Sequence, residues 1–403
     1  MTSSLLILTV GTGTAGRESN VAEGLANTVR MIQPCGYWLV PSASEKSLPV
    51  ADLVRDSVGD AAAFIPWDSE TDYRAILNPD ALEDCRGAVR EVIRRARKKL
   101  RPGERLLVNP TSGTKQMSAG AVLAALDEGV GEIIFTVGDR ADGVVRTGTE
   151  RLESFDALRF YAERDHALAC ELAASGAPEA AHRILSHHES LRDDADVALC
   201  LHEWERLNYE AARQVAAKSK APALREVRHF LNELASAASA GKPHILIVSD
   251  LLENAAIFHR RGDSESSLFQ TCKALEMGLR VRLLETTGLC DPYSLASLRR
   301  LPLGKDLMFR LEKNSSNAQT CILGIRQVVE VLKALGDPLA DDFRSDRRLG
   351  DLLAIRNELT HAIRSVSEKQ SADFLSHTKR LLEQGRDWPQ VPSRPMLRPC
   401  QKT

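Results

Sequence analysis

Val108-Asn109-Pro110-Thr111-Ser112-Gly113-Thr114-Lys115-Gln116-Met117-Ser118 is the stretch on whose reading the fold turns. It closes an apolar run, Leu106 to Val108, that reads as a buried strand. A turn of hydroxyls and glycine follows. From Gln116 to Leu126, Met117, Ala121, Val122 and Ala125 recur at helical spacing, and Gly129 supplies a stop. The order is therefore strand, polar loop, helix N-terminus. Such a loop offers free backbone N–H groups, small hydroxyls and one lysine, which is the chemistry that receives a phosphate. It is not a Walker loop, because Thr114 separates Gly113 from Lys115 and the upstream glycine is missing.

Working outward, residues 1 to about 150 alternate strand and helix. Leu5 to Val10 is a continuous apolar run, as expected of a parallel strand covered on both faces. Tyr37 to Val40, Ala63 to Ile65, Leu106 to Val108 and Ile133 to Val137 complete five predicted strands. Ser19 to Ile32 and Pro79 to Leu100 read as helices. This βαβ pattern predicts a Rossmann-like, doubly wound parallel sheet. In such a sheet ligands sit at the carboxyl ends of strands where the order reverses. The first strand ends in Gly11-Thr12-Gly13-Thr14-Ala15-Gly16, so two loops of similar composition are expected to face one crevice. The spacing of Gly11, Gly13 and Gly16 also fits a dinucleotide fingerprint. That fingerprint wants an acidic residue closing the second strand, and here Val40 is followed by Pro41-Ser42-Ala43. A nicotinamide-linked enzyme is thus disfavoured, and a cofactor titration would decide it.

The composition narrows the class. The 403 residues suffice for about two or three domains. A formal net charge of −2 gives no global field toward nucleic acid, so any such site must be local. Eight cysteines (Cys35, Cys85, Cys170, Cys200, Cys272, Cys290, Cys321 and Cys400) are scattered with no C-x-x-C pair. That argues against zinc and a disulfide framework and for a reducing cytosol. No apolar run is long enough for a signal peptide or a membrane span, so a soluble cytoplasmic protein without membrane or metal is expected. Arg94, Arg95, Arg97, Lys98, Lys99 and Arg101 form a basic cluster, either cations complementing a helix C-terminus or an RNA contact.

Beyond residue 150 the chain is expected to be all-α. Residues 151–240 read as a helical linker domain: Phe155 to Ala174, Pro178 to Leu191 and Val197 to about Lys218, with linkers at Pro222 and at Ala237 to Gly241. His182, His187 and His188 lack metal-ligand partners at sensible spacing. Residues 241–390 form the next region. His244 to Val248 fits strand or helix; Asp250 is the expected N-cap of a helix to Arg260. Further helices are predicted at Ser264 to Thr286, Ile325 to Leu335, Leu349 to Ile363 and Ala372 to Leu382. Residues 391–403 are expected to be an extended tail, given Pro392, Pro395 and Pro399.

Within the predicted Leu349 helix, Arg356-Asn357-Glu358-Leu359-Thr360-His361 sets an arginine five residues before a histidine. Together these suffice to cleave RNA without metal. RNA brings its own nucleophile, the 2′-hydroxyl. The enzyme then needs a proton carrier, for which His361 serves, and a cation on the transition-state phosphate, for which Arg356 serves. Asn357 lies four residues before His361, on the same helix face. Against this, five residues span about 500° of helix, so Arg356 and His361 do not share a face on an ideal helix. A local distortion or a dimer axis would have to bring them together. A surface arginine beside a partly buried histidine is the alternative.

Gly11-Thr12-Gly13-Thr14 and Asn109 to Met117 resemble the ligand loops of the CARF domain of CRISPR-associated proteins. Arg356-Asn357-Glu358-Leu359-Thr360-His361 resembles the Arg-x4–6-His motif of HEPN ribonucleases. In this order they resemble the Csm6/Csx1 ancillary nucleases of type III CRISPR antiviral defence. Cys272-Lys273-Ala274-Leu275-Glu276 is similar to the Cas02710 branch. The resemblance implies a homodimeric sensor–effector that binds a cyclic oligoadenylate and then cleaves single-stranded RNA, leaving a 2′,3′-cyclic phosphate and a 5′-hydroxyl. It implies that Thr12, Gly13, Thr14, Asn109, Thr111, Ser112, Gly113, Thr114, Lys115 and Gln116 line the ligand, that Arg356 and His361 are catalytic, and that Asn357 supports them. A ring of four adenylates is expected rather than six. No cofactor is implied beyond this activator. Some sensor domains of this kind slowly cleave their own ligand, and threonine and serine beside the ring would suit that. A non-catalytic sensor, whose helical half binds a partner or nucleic acid, is the alternative.

Overall fold

The computed structural model of the protein describes residues 3–13, 18–141, 144–146, 148–313, 319–359, 365–384 and 387–397. By internal contacts the chain divides into two units, Met1–Arg164 and Asp165–Thr403.

The first unit is built on a sheet. Its strands are β1 (Ser4–Val10), β2 (Gly36–Pro41), β3 (Ala63–Phe64), β4 (Arg105–Asn109) and β5 (Glu132–Val137), a two-residue hairpin β6 (Arg140–Ala141) and β7 (Val144–Val145), and β8 (Arg151–Asp156). The helices between them are α1 (Glu18–Ile32), α2 (Ser47–Val58), α3 (Leu82–Arg97) and α4 (Lys115–Asp127). The strand order is β3-β2-β1-β4-β5-β8, parallel from β3 to β5. The chain runs from β1 outward to β3 and returns to lay β4 on the other side of β1. The order therefore reverses between β1 and β4, which opens a crevice at their carboxyl ends.

The apolar runs explain the layering. All seven residues of β1 are buried. Leu5 and Ile7 join Trp38, Val40 and Val108 in a core roofed by α3 and α4. Leu6, Leu8 and Val10 point the other way and join Tyr37, Leu39 and Leu107 under α1 and α2. The period-two alternation of a strand puts successive leucines into opposite cores, so a two-sided sheet needs an unbroken apolar run.

The sequence reading missed the two-residue strands of the pairs 140–145 and 293–321, and one longer strand of the main sheet. Helical structure was expected from residue 151, yet Arg151–Asp156 pairs antiparallel with β5, from Glu132↔Asp156 to Val137↔Arg151. Five of its six residues are exposed, so no alternation betrays it. The backbone ladder holds it in place.

The second unit is helical: α5 (Ala157–Ala174) leads into it, followed by α6 (Pro178–Leu185), α7 (Arg192–Glu205), α8 (Tyr209–Lys218), α9 (Pro222–Ser239), α10 (Ile245–Arg260) and α11 (Ser264–Thr287). Then come a two-strand pair β9 (Tyr293–Ser294) and β10 (Thr320–Cys321), with α12 (Leu295–Leu298) and α13 (Lys305–Lys313) between them. The chain continues with α14 (Ile325–Ala334), α15 (Pro338–Ser345), α16 (Arg347–Leu359) and α17 (Glu368–Glu383). One core of buried residues runs from Ala169 to Leu397. α11 is its central post, capped by Asp263 at one end and by Gly288, φ +72°, at the other. Gly278 lets α17 close on α11, since a Cβ there would stand 2.7 Å from Leu382 Cδ1.

Three expectations fail here for physical reasons. The helix expected from Val197 to Lys218 breaks at Leu207, which takes φ +63° between α7 and α8. Pro222 is no linker; it opens α9 at the first helical turn, where a missing N–H costs nothing. Asp250 is no N-cap either. α10 starts five residues earlier, with His244 as cap accepting from Leu246 N at 3.2 Å. Asp250 is fully buried inside the helix, where it accepts from Trp204 Nε1 at 2.9 Å and pairs with Arg394 at 3.0 Å. The Arg394 guanidinium lies 3.7 Å from the Trp204 ring centroid. Residues 387–397 have no helix or strand, and Arg394 and Leu397 anchor them into the core.

Candidate functional site

The loops after β1 and β4 meet. A Cβ on Gly11 would stand 2.4 Å from Gly113 Cα and 2.5 Å from Gly113 N, so the two backbones touch with no room for a side chain. Ser112 stitches them: its Oγ accepts from Gly11 N at 3.0 Å, and its carbonyl accepts from Thr9 Oγ1 at 2.5 Å. Gly113 itself takes φ +120°, a conformation that favours glycine, and Met117 packs where a Cβ would go. Thr114 caps α4 by accepting from Met117 N at 3.1 Å and donates to Pro79 O at 2.6 Å. Lys115 is the first residue of α4 and is exposed. The positive end of a helix and a lysine cation thus share one spot, as an anion requires.

Beneath this loop lies a floor of hydrogen bonds. Asn109 is 1% exposed. Its Nδ2 donates to Thr136 Oγ1 at 2.8 Å, and its Oδ1 accepts from Thr111 N at 3.0 Å. Thr111 Oγ1 accepts from Thr136 N at 2.8 Å, and Thr136 Oγ1 lies 2.9 Å from Thr28 Oγ1. Asn109 therefore corrects the sequence expectation: it braces the loop from within and does not face a ligand. The hydroxyls of Thr111 and Thr114 are likewise engaged. Thr12, Gly13, Ser112, Gly113, Lys115 and Gln116 retain exposed or half-exposed surface, while Thr14 lies outside the described residues.

The loops open onto a cleft of about 130 Å³. Ser112 and Gly113 form one side. The other comes from α1, through Asn20, Val21, Gly24 and Leu25, and from Val145 and Glu150 ahead of β8. The sequence reading missed this second wall. Asn20, Gly24 and Thr28 fall four residues apart along α1, a spacing visible in the sequence but indistinguishable there from an ordinary polar helix face.

In the second unit, Arg356 and Asn357 lie on α16 and touch: Arg356 Nη1 donates to Asn357 Oδ1 at 3.1 Å. Asn357 was expected to orient His361, a pairing that falls outside the described residues; within them it accepts from Arg356. Arg356 also faces Cys272 on α11. Burial pushes that thiol above its usual range, and the Arg356 charge opposes the shift. His361 lies outside the described residues, so its distance to Arg356 is not part of this geometry. On the neighbouring surface, Asp346 accepts from His377 Nδ1 at 2.6 Å and from Arg380 at 2.7 Å. Among the described residues no cluster of three His, Cys, Asp or Glu side chains could hold a metal ion, and no helix is long and apolar enough to cross a membrane.

Comparison with known proteins adds two findings. Residues 236–384 match the family model described as the Csm6 HEPN domain, Cas_Cas02710. Among solved structures, the chain is similar to Enterococcus italicus Csm6 bound to cyclic hexa-2′-fluoro-hexa-dAMP, at 13% sequence identity and a TM-score of 0.53, over 94% of this chain and 93% of that one. No curated protein matches the chain. At such identity the likeness speaks for the fold: an N-terminal parallel-sheet α/β unit and a C-terminal helical region that matches the HEPN model.

Proposed function

With a Csm6-type HEPN domain over residues 236–384 as premise, we propose that the chain is an endoribonuclease of type III CRISPR defence, switched on by a cyclic oligoadenylate. The observation that carries the sensor half is the contact between Gly11 and Gly113, which joins two N–H-rich loops over one cleft at the point where the strand order reverses. The Enterococcus italicus relative is described as bound to a cyclic adenylate analogue, which supports a ligand of this class. A ring-shaped polyanion is best received by two copies of the same loops about a two-fold axis, so the working form is a homodimer in the cytoplasm. Thr12, Gly13, Ser112, Gly113, Lys115 and Gln116 would meet its phosphates and riboses.

In the HEPN half the reaction needs no cofactor and no metal. The 2′-hydroxyl of single-stranded RNA attacks the adjacent phosphorus in line. His361 relays the proton from that hydroxyl toward the departing 5′-oxygen, and Arg356 holds the charge that builds on the phosphoryl oxygens. A 2′,3′-cyclic phosphate and a 5′-hydroxyl result. Asn357 positions the Arg356 guanidinium. Four adenylates remain the expected ring size, with six as the direct comparator.

The test is RNA cleavage with and without cyclic tetra- and hexa-adenylate, in EDTA. Cleavage should rise with the ring, survive the chelator, and fall by about 10²- to 10⁴-fold in His361→Ala. Cleavage that needs a divalent cation, or that ignores the substitution, overturns the reading. Ring binding with no cleavage would favour the non-catalytic sensor.

A further inference from the structure

The cleft beside the loops is chemically two-ended. On one side sit Ser112 and Gly113, the residues that lead into the N-terminus of α4, whose positive end attracts negative charge. On the other side stands a carboxylate, Glu150. A carboxylate repels phosphate, and the repulsion grows as a cleft excludes water. An acid on the wall of an anion-receiving site suits a ligand group that donates hydrogen bonds to it.

We propose that Glu150 reads the base of the bound ring: its carboxylate accepts the exocyclic amine of an adenine seated between α1 and the wall formed by Val145 and Glu150. The inference rests on the ligand class of the proposed function and adds the residue that selects the base.

Glu150 is held ready for this. Its Oε2 accepts from Gly148 N at 2.6 Å, and its Oε1 accepts from Asn27 Nδ2 at 3.3 Å. Both bonds come from neutral donors, and together they use about half of the roughly four lone-pair directions a carboxylate offers. Among the described residues no lysine or arginine pairs with it, so its acceptor strength is not spent on a cation. The carboxylate lies over Gly24, where a Cβ would stand 3.6 Å from Oε1. The helix wall beneath it is therefore flat. Val21 and Leu25 on α1 give that wall its apolar surface, suited to the face of a planar heterocycle. Asn20, one turn ahead of Gly24 and exposed, can donate to the ring nitrogen beside the amine. A carboxylate accepting from an exocyclic base amine is a known pairing, and a site built for a donor rejects an analogue that lacks it.

The experiment is a calorimetric titration of the full-length protein with cyclic oligoadenylate and with the same-size ring of inosinate, whose carbonyl replaces the amine. The wild type should bind the adenylate ring at least ~10-fold more tightly. Glu150→Gln, whose amide can donate to that carbonyl, should narrow the gap below ~3-fold. Thermal unfolding checks that the variant is folded, and Glu150→Asp, which shortens the reach, should narrow the gap in the same direction. If the wild type binds both rings alike, or if the folded variants discriminate as the wild type does, Glu150 does not read the base, although the ligand assignment stands. If the wild type binds neither ring, the ligand class itself is wrong and the inference falls with it.

Discussion

Gly11 and Gly113 define the site at the scale of single residues. Because the clash at Gly11 is with backbone, no rotamer can relieve it. Gly11→Ala should therefore cost about 1–3 kcal/mol or more, read as an earlier urea midpoint, and should weaken ring binding with it. Lys115→Ala removes a charge without disturbing a buried contact; ring affinity should fall about 10- to 100-fold with the unfolding midpoint nearly unchanged. If affinity holds, the loop is not the anion site. Asp346 makes a pH prediction. Burial pushes its carboxyl up, but the bonds from His377, Leu349 N and Arg380 outweigh it and hold the group below its usual value. A depressed folded value stabilises the protein above the unfolded value of about 3.9, and that stabilisation is lost as pH falls through the folded one. Asp346→Asn should thus be less stable than the wild type near neutrality, with the difference closing below about pH 4. Equal slopes in acid would contradict this.

Among elements, α4 is the one whose start matters most. Thr114 is its cap, and Thr114→Ala should lower stability by about 1 kcal/mol, measured by denaturant unfolding. What could be read from the sequence followed how each element is stabilised. β1, β2 and β4 are buried on both sides and announce themselves as apolar runs. The loop after β4 was legible because its glycine and hydroxyls serve the turn itself. β8 was not legible, since its partner is backbone and its side chains mostly face solvent. The start of α10 was hidden for the opposite reason. Leu246, Ile247, Val248, Ser249 and Asp250 are all buried in succession, so the helix begins with no periodicity and the aspartate looks like a cap. Its true role, beneath Trp204 and Arg394, depends on residues far away in sequence. Asp250→Ala would strand that buried guanidinium and should cost about 3–5 kcal/mol by the same unfolding assay.

Taken whole, the chain should behave as an assembly whose stability answers to its ligand. Light scattering should give twice the 44.3 kDa chain mass; a strict monomer would leave the ring without matching halves. Saturating cyclic adenylate at about 100 times its dissociation constant should add about 2.7 kcal/mol to the stability of the unit that binds it, and the ring size giving the larger thermal shift is the physiological one. The touching glycines then carry a mechanical corollary. Stitched through Ser112 to β1 and floored by the Asn109–Thr136 network, one side of the crevice is an anvil. Any displacement that a bound ring produced would then fall to the opposite side, α1 with Val145 and Glu150, and a message to the rest of the protein would leave by that route.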